Sequence, residues 1–119
     1  MDIRIRRSNT ILYCSKWSET VSFYRERIGL VPVMSRDWFV EFQLNRGATL
    51  SVADQKRATV KSAGGGGVTV SFLVDDAETI RSRLDTDDVA PKPGPMRTIW
   101  GSQAFYIHDP EGNRLEFWS

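Results

Sequence analysis

Apolar and polar positions follow the same order in two parts of the chain that begin sixty residues apart. The segments 9–14 and 69–74 are rich in β-branched and aromatic residues, which is typical of strands. Each segment precedes a stripe of apolar residues at helical spacing. The two stripes consist of Trp17, Val21, Tyr24 and Ile28, and of Ala77, Ile80 and Leu84. The pattern therefore predicts two copies of one strand-helix unit.

Polar residues and a glycine mark the ends of these two helices. Ser15 and Asp75 precede the stripes and are expected to cap the helix N-termini, and Glu78 gives Asp75 the spacing of a capping box. Gly29 is expected to adopt the left-handed conformation that ends a helix, and Pro32 prevents any continuation. The first helix is therefore expected to end just before Gly29.

Three short extended segments follow each helix. They are expected at 31–35, 38–44 and 49–53, and then at 89–90, 101–107 and 114–118. Prolines interrupt the strand that opens at 89–90, so it is expected to be short or to lie at a sheet edge. The order β-α-β-β-β thus occurs twice. This order excludes a doubly wound parallel sheet and predicts an α+β fold, in which two βαβββ modules form a curved mixed sheet.

Four consecutive glycines separate the two modules. Because Gly64 to Gly67 cannot pre-order a backbone, the segment 61–67 is expected to be a linker. The first module then occupies residues 1–60 and the second occupies residues 68–119. At 119 residues the chain has the size of one structural domain, so we expect the modules to share a core or to be completed by an oligomer.

Composition narrows the classes of function. With 40% hydrophobic and 26% charged residues, the chain is typical of soluble globular proteins. A net charge of +1 argues against a nucleic-acid-binding protein that neutralises phosphates. We find no signal peptide and no apolar run long enough for a membrane span, and we expect a cytoplasmic protein. Cys14, the single cysteine, is expected to be buried and inert.

The second half holds the most specific sequence pattern. Trp100 and Gly101 precede an aromatic strand, the turn Asp109-Pro110-Glu111-Gly112-Asn113 follows, and Leu115-Glu116-Phe117 forms the last strand. Together with the helix from Ser18 to Gly29, this pattern resembles the glyoxalase/bleomycin resistance/extradiol dioxygenase superfamily, also called vicinal oxygen chelate proteins, over nearly the whole chain. The resemblance implies the two-module fold, a homodimer and a cavity for a small-molecule ligand.

The resemblance also implies four positions at which the superfamily's enzymes hold a divalent metal. Here they are occupied by Asn9, Ser51, Thr69 and Glu116. Only Glu116 is a usual metal ligand, because an amide and two hydroxyls are weak neutral donors. We therefore expect no metal and no cofactor. Glu116 is the candidate catalytic residue, as a general base or a ligand contact, and the alternative is a structural carboxylate bound by Asn9 or Thr69.

Strand alternation extends the candidate site along each strand. Ile11 and Tyr13 share a face with Asn9, Ser71 shares one with Thr69, and Trp118 shares one with Glu116. Aromatic residues also border the concave side in the superfamily, although a plain core role is the alternative for each. These aromatic residues are Trp38, Phe39, Phe42, Trp100 and Phe105. The candidate ligand-binding set is Asn9, Ile11, Tyr13, Trp38, Phe42, Ser51, Thr69, Ser71, Trp100, Phe105, Glu116 and Trp118.

These expectations favour a metal-independent small-molecule-binding protein of the bleomycin-resistance type. It would sequester an apolar or planar ligand, with one cationic or hydrogen-bond-donating group for Glu116, in a cavity formed with a dimer partner. One alternative is a metal-dependent glyoxalase-like lyase, isomerase or dioxygenase that recruits Glu41 or His108. Another is a regulatory or interaction domain with a vestigial cavity. Whether the protein is an enzyme stays open at this point.

Overall fold

A computed structural model describes every residue from Met1 to Ser119. The chain forms two compact units, Met1–Ala63 and Gly64–Ser119. Each unit contains one helical segment and one four-stranded mixed sheet. This architecture confirms the expected α+β fold of two βαβββ modules. Neither helix has the length and apolar character needed to cross a membrane.

The first unit begins with a strand that runs almost directly into a helix. Its elements are β1 (Ser8–Cys14), α1 (Trp17–Ser22), a π-helical continuation (Phe23–Ile28), β2 (Val31–Ser35), β3 (Phe39–Asn45) and β4 (Ala48–Asp54). The sheet has the order β1-β4-β3-β2, in which β1 and β4 are parallel and the other pairs are antiparallel. The helical segment covers one face of this sheet.

The helical stripe of the first unit packs on this face of the sheet. The ring of Tyr24 lies 6.2 Å from that of Phe42, and both residues are fully buried. Trp17 Nε1 donates to the carbonyl oxygen of Val52 at 2.9 Å, which ties the start of α1 to the middle of β4. Burial of this apolar surface is the main force that holds the unit together. We call this side of each sheet the core face and the other side the open face.

The second unit repeats this plan, and three of its four strands are shorter than their counterparts in the first unit. Its elements are β5 (Thr69–Leu73), α2 (Ala77–Thr86), β6 (Arg97–Ile99), β7 (Ser102–His108) and β8 (Arg114–Trp118). The sheet has the order β5-β8-β7-β6, with β5 and β8 parallel. On its core face Phe105 stacks on Phe117 with ring centroids 5.4 Å apart, and Phe72 lies 5.3 Å from Phe117.

One strand of the second unit differs from its expected position. The edge strand begins at Arg97, whereas the sequence pattern indicated a start at 89–90. Proline has no N–H for a ladder, and three prolines lie between residues 90 and 96. The ladder between β6 and β7 therefore begins only after the last proline, although the Gly94 N–H already donates to the Tyr106 carbonyl oxygen at 2.8 Å.

The helix starts also differ from expectation, each by one residue. Asp76, and not Asp75, caps α2, because its carboxylate accepts hydrogen bonds from the backbone N–H groups of Glu78 and Thr79. The N-cap residue of α1 is Lys16 instead of Ser15, and no side chain caps that helix. Gly29 has φ 82° and ends the first helical segment in the left-handed conformation, as predicted.

The four-glycine segment makes an ordered contact inside the second unit. Gly65 has φ 83°, and a Cβ atom placed there would lie 2.2 Å from the carbonyl oxygen of Gly112. Gly112 belongs to the turn before β8, where the buried Asp109 carboxylate accepts from the N–H of Asn113 at 2.9 Å and from its side-chain amide at 2.8 Å. Glycine is required at residue 65 because any side chain would collide with this turn.

The cap of α2 gives a test with a matched control. Hydrogen bonds from the Thr79 hydroxyl and then from the Thr79 backbone hold the pKa of Asp76 below its ordinary value of 3.8. We expect Asp76→Ala to lower the free energy of unfolding at neutral pH, and Asp75→Ala, which removes the same charge one residue away, to leave it unchanged.

The pH dependence of this effect follows from the lowered pKa. A carboxyl group with a depressed folded-state pKa contributes stability above its unfolded-state pKa and loses it as the pH falls through the folded-state pKa. The difference between wild type and Asp76→Ala, measured by urea unfolding, should therefore shrink below pH 3.8. Equal unfolding curves for the two alanine variants at neutral pH would contradict this assignment of the cap.

Candidate functional site

Glu116 lies in the middle of the open face of the second sheet. It pairs with Ser71 of β5 on one side and with Tyr106 of β7 on the other. The flanking residues of its own strand, Leu115 and Phe117, are buried on the core face. Because side chains alternate along a strand, the burial of these two neighbours directs the Glu116 side chain to the open face.

The Glu116 carboxylate has one close partner within its own unit. Ser71 Oγ donates a hydrogen bond to Glu116 Oε1 at 2.5 Å. The expected partner Thr69 lies two residues earlier on β5, where its hydroxyl oxygen accepts from Arg114 Nε at 2.8 Å. Ser71 therefore takes the role that the sequence reasoning gave to Asn9 or Thr69.

A pocket of about 330 Å³ opens on this face of the second sheet. It is lined by Ser71, Ile99, Trp100, Ser102, Ala104, Glu116 and Trp118. Four of these residues belonged to the candidate set. Ile99 was missed because the edge strand was placed at 89–90. Ser102 and Ala104 were missed because Phe105, on the opposite face of β7, was expected to border the cavity. The pocket walls are mainly apolar, and Glu116 is their one charged residue.

Trp100 is held at this pocket by an unusual turn. It is fully exposed and has φ 48°, and the following residue, Gly101, has φ 80°. Two successive positive φ angles are typical of a two-residue hairpin turn, but an aromatic residue rarely adopts this conformation. The β6–β7 hairpin therefore holds an indole ring in solvent at the edge of an apolar pocket.

The polar groups on the open face of the first sheet are bonded to one another. Ser51 is fully buried, and its hydroxyl donates to Asn9 Oδ1 at 2.8 Å. Thr49 donates to Glu41 Oε2 at 2.8 Å, and Arg7 Nη2 lies 3.7 Å from the same oxygen. These donors and acceptors already have partners within their own unit.

The other candidate residues of the first unit lie on both faces of the sheet. Ile11 pairs with Ser51, and Tyr13 lies two residues along on the same open face. Trp38 directly precedes β3; its ring lies 5.4 Å from that of Phe39, and Arg57 lies over it at 6.0 Å.

Two of the aromatic candidates lie on core faces. Phe42 contacts Tyr24 and Phe105 stacks on Phe117, and both phenylalanines are fully buried. This corrects the expectation that they border a cavity, because strand alternation turns their rings away from the open faces.

The four metal positions of the resemblance do not form a donor set suited to a divalent cation. Asn9 and Ser51 bond to each other, Thr69 accepts from a guanidinium group, and Glu116 is the single carboxylate. A divalent cation held by neutral amide and hydroxyl oxygens gains too little charge compensation to release its water.

The two alternative metal ligands do not complete the set. Glu41 is engaged by Thr49 and Arg7, and His108 is exposed and pairs with Arg114 across β7 and β8. No group of three or more histidine, cysteine, aspartate or glutamate side chains converges anywhere in the chain. The residues present therefore do not fit the metal centre that the superfamily's enzymes use.

Comparison with known protein families gives one match. The family model described as Glyoxalase/Bleomycin resistance protein/Dioxygenase superfamily matches residues 7–117. No curated protein sequence matches the chain.

Solved structures share the fold over nearly their whole length. Lactoylglutathione lyase from Agrobacterium tumefaciens is similar with a TM-score of 0.76 and 23% identity, over 92% of this chain and 90% of that chain. The bleomycin resistance determinant encoded on transposon Tn5 is similar with a TM-score of 0.74 and 16% identity, over 95% and 96%. A glyoxalase/bleomycin resistance protein/dioxygenase from Nocardioides is similar with a TM-score of 0.73 and 17% identity, over 99% and 85%.

The donor set leads to a prediction about metal binding. After equilibration with zinc, nickel or manganese and dialysis, the full chain should retain less than one metal ion per chain, measured by elemental analysis. Glu116→Ala should retain the same amount as wild type, because the remaining family positions offer neutral oxygens. One tightly bound ion per wild-type chain that is lost in Glu116→Ala would contradict this reading of the donors.

Proposed function

Because the chain belongs to the glyoxalase/bleomycin resistance protein/dioxygenase superfamily, we propose that it is a metal-independent protein that binds an apolar or planar small molecule. The pocket on the open face of the second sheet carries this proposal. Its volume of about 330 Å³ lies within the range of small-molecule sites. Its mainly apolar wall with one carboxylate matches the usual composition of such sites.

The two tryptophans of the pocket supply the binding energy in this proposal. Trp100 is fully exposed and Trp118 is half-buried, and both line the same pocket. A planar ligand that stacks on an exposed indole removes apolar surface of both partners from water. Aromatic ligands therefore gain more binding free energy from contact with these two tryptophans than small polar molecules do.

Glu116 supplies the polar anchor of the proposed site. Its Oε1 atom accepts the Ser71 hydrogen bond, so Oε2 is the atom that meets a donor group of the ligand. A hydrogen bond to a charged acceptor is stronger than one between neutral groups. Should the ligand undergo chemistry, Glu116 is also the group placed to accept a proton from it.

We also propose that the protein acts as a homodimer. Large apolar side chains are exposed on strands at sheet edges, including Val31 and Val33 on β2 and Leu73 on β5. Exposed apolar surface and unpaired strand edges favour association with a second copy. In this proposal a partner copy covers part of the ligand.

A neutral fluorescent probe tests the binding proposal. N-phenyl-1-naphthylamine should bind the full chain saturably, with increased fluorescence. Trp100→Ala should raise its dissociation constant about two- to tenfold, the range expected for loss of one aromatic contact. Val89→Ala, which truncates an exposed apolar residue outside the pocket lining, is the matched control and should bind as wild type does. The proposal would be wrong if the probe did not bind saturably, or if Trp100→Ala and Val89→Ala weakened its binding equally.

Sedimentation velocity tests the dimer proposal. The full chain without added ligand should sediment with twice the mass of one chain across the micromolar range, because burial of the exposed strand edges stabilises the pair. A single species with the mass of one chain at every concentration would count decisively against a homodimer.

A further inference from the structure

Two arginines flank one tyrosine on the open face of the second sheet. Tyr106 lies in the middle of β7, Arg97 lies on the neighbouring β6, and Arg114 lies on β8. The Cζ atom of Arg97 is 5.8 Å from the centroid of the Tyr106 ring, and that of Arg114 is 4.4 Å from it. Cation–π contacts at these distances place both guanidinium groups beside the same ring.

Neither of these two arginines has an acidic partner. By contrast, Arg7 lies near Glu41 and Arg57 lies near Asp37. Arg97 makes no ion pair, and Arg114 donates through Nε to the neutral hydroxyl of Thr69. Glu116 lies on the same face but makes no ion pair with either arginine, so the remaining N–H donors of the two exposed guanidinium groups are available to an external anion.

From this placement we propose that Arg97 and Arg114 form an oxyanion site, so that the natural ligand is a planar or apolar molecule with one anionic group. The anion is a carboxylate or a phosphate, because a guanidinium group binds either one through paired N–H donors. This inference rests on the proposed function, because the same face of the sheet binds the rest of the ligand.

The oxyanion site directly adjoins the apolar pocket. Arg97 pairs with Ala104, and Tyr106 pairs with Glu116; Ala104 and Glu116 both line the pocket. Tyr106 is two residues from Ala104 along β7, a separation of about 7 Å in a strand. One small molecule can therefore stack on the tryptophan wall and reach the arginines with its anionic group.

Glu116 restricts the ligand to a single anionic group. Its carboxylate lies on the same face as the arginines and lines the apolar pocket. A second anion on the ligand body would meet this carboxylate and be repelled, whereas a hydrogen-bond donor would be favoured. The ligand class is thus an aromatic compound with one anionic group and a hydrogen-bond donor on its ring system.

A pair of probes isolates the contribution of the anionic group. 8-Anilinonaphthalene-1-sulfonate and N-phenyl-1-naphthylamine have the same ring systems, but only the first carries an oxyanion. Each is titrated into the full chain, and fluorescence gives the dissociation constant. In the variant Arg97→Gln/Arg114→Gln, the constant of the sulfonate should rise at least about tenfold, as expected for loss of charge-assisted hydrogen bonds. The constant of the neutral probe should stay unchanged.

A second double variant controls for overall charge. Arg36→Gln/Arg46→Gln removes the same two charges from exposed turns of the first unit and should leave both constants as in wild type. Circular dichroism and thermal unfolding of both double variants establish that they are folded. Equal effects of the two double variants on the sulfonate, or no effect of either, would overturn the oxyanion site.

The neutral probe separates this failure from a failure of the proposed function. The neutral probe could bind wild type while the dissociation constant of the sulfonate is the same in wild type and in Arg97→Gln/Arg114→Gln. In that case the apolar pocket is supported and the oxyanion site is wrong. If neither probe binds, the proposed function itself fails. Displacement of the sulfonate by 1-naphthoate or by 1-naphthyl phosphate identifies the anionic group, and displacement by neither would also overturn the site.

Discussion

The register between β5, β8 and β7 is the constraint on which the candidate site depends. It places Ser71 and Tyr106 on either side of Glu116. A slip of one residue would turn Glu116 into the core and Phe117 into solvent, because side chains alternate along a strand. The stack of Phe105 on Phe117 at 5.4 Å opposes such a slip. Apolar packing on the core face therefore sets the chemistry of the open face.

The two units satisfy the polar groups of their open faces in different ways. Ser51 pairs in register with Ile11, as Glu116 pairs with Ser71 in the second unit. In the first unit, the Ser51 residue is buried and its hydroxyl donates to Asn9, so this donor is not available to a ligand. In the second unit, the corresponding position holds a half-buried carboxylate beside an apolar pocket. The two sheets thus have similar backbones, but the polar groups on the open face of the first are hydrogen-bonded to one another, whereas the open face of the second is suited to a ligand.

Periodicity predicted the elements well because it reports burial directly. The stripe containing Val21 and Tyr24 is buried as predicted, and β2 and β8 have the expected bounds. The helix cap was harder to predict, because a sequence pattern does not distinguish the adjacent residues Asp75 and Asp76. The structure shows that Asp76 is the cap. The side-chain directions of Phe42 and Phe105 depend on strand register, which composition does not encode. The arginine pair around Tyr106 was invisible because it joins three strands, one of which was placed too early.

A nuclear magnetic resonance titration tests the central claim most directly, because the four indole N–H groups report from different places. Trp100 and Trp118 line the pocket, whereas Trp17 donates to Val52 and Trp38 lies beside Phe39. On addition of N-phenyl-1-naphthylamine to ¹⁵N-labelled protein, the account predicts saturable shifts of the Trp100 and Trp118 indole signals, with those of Trp17 and Trp38 unmoved. Shifts confined to Trp17 or Trp38 would place the ligand elsewhere and contradict the account.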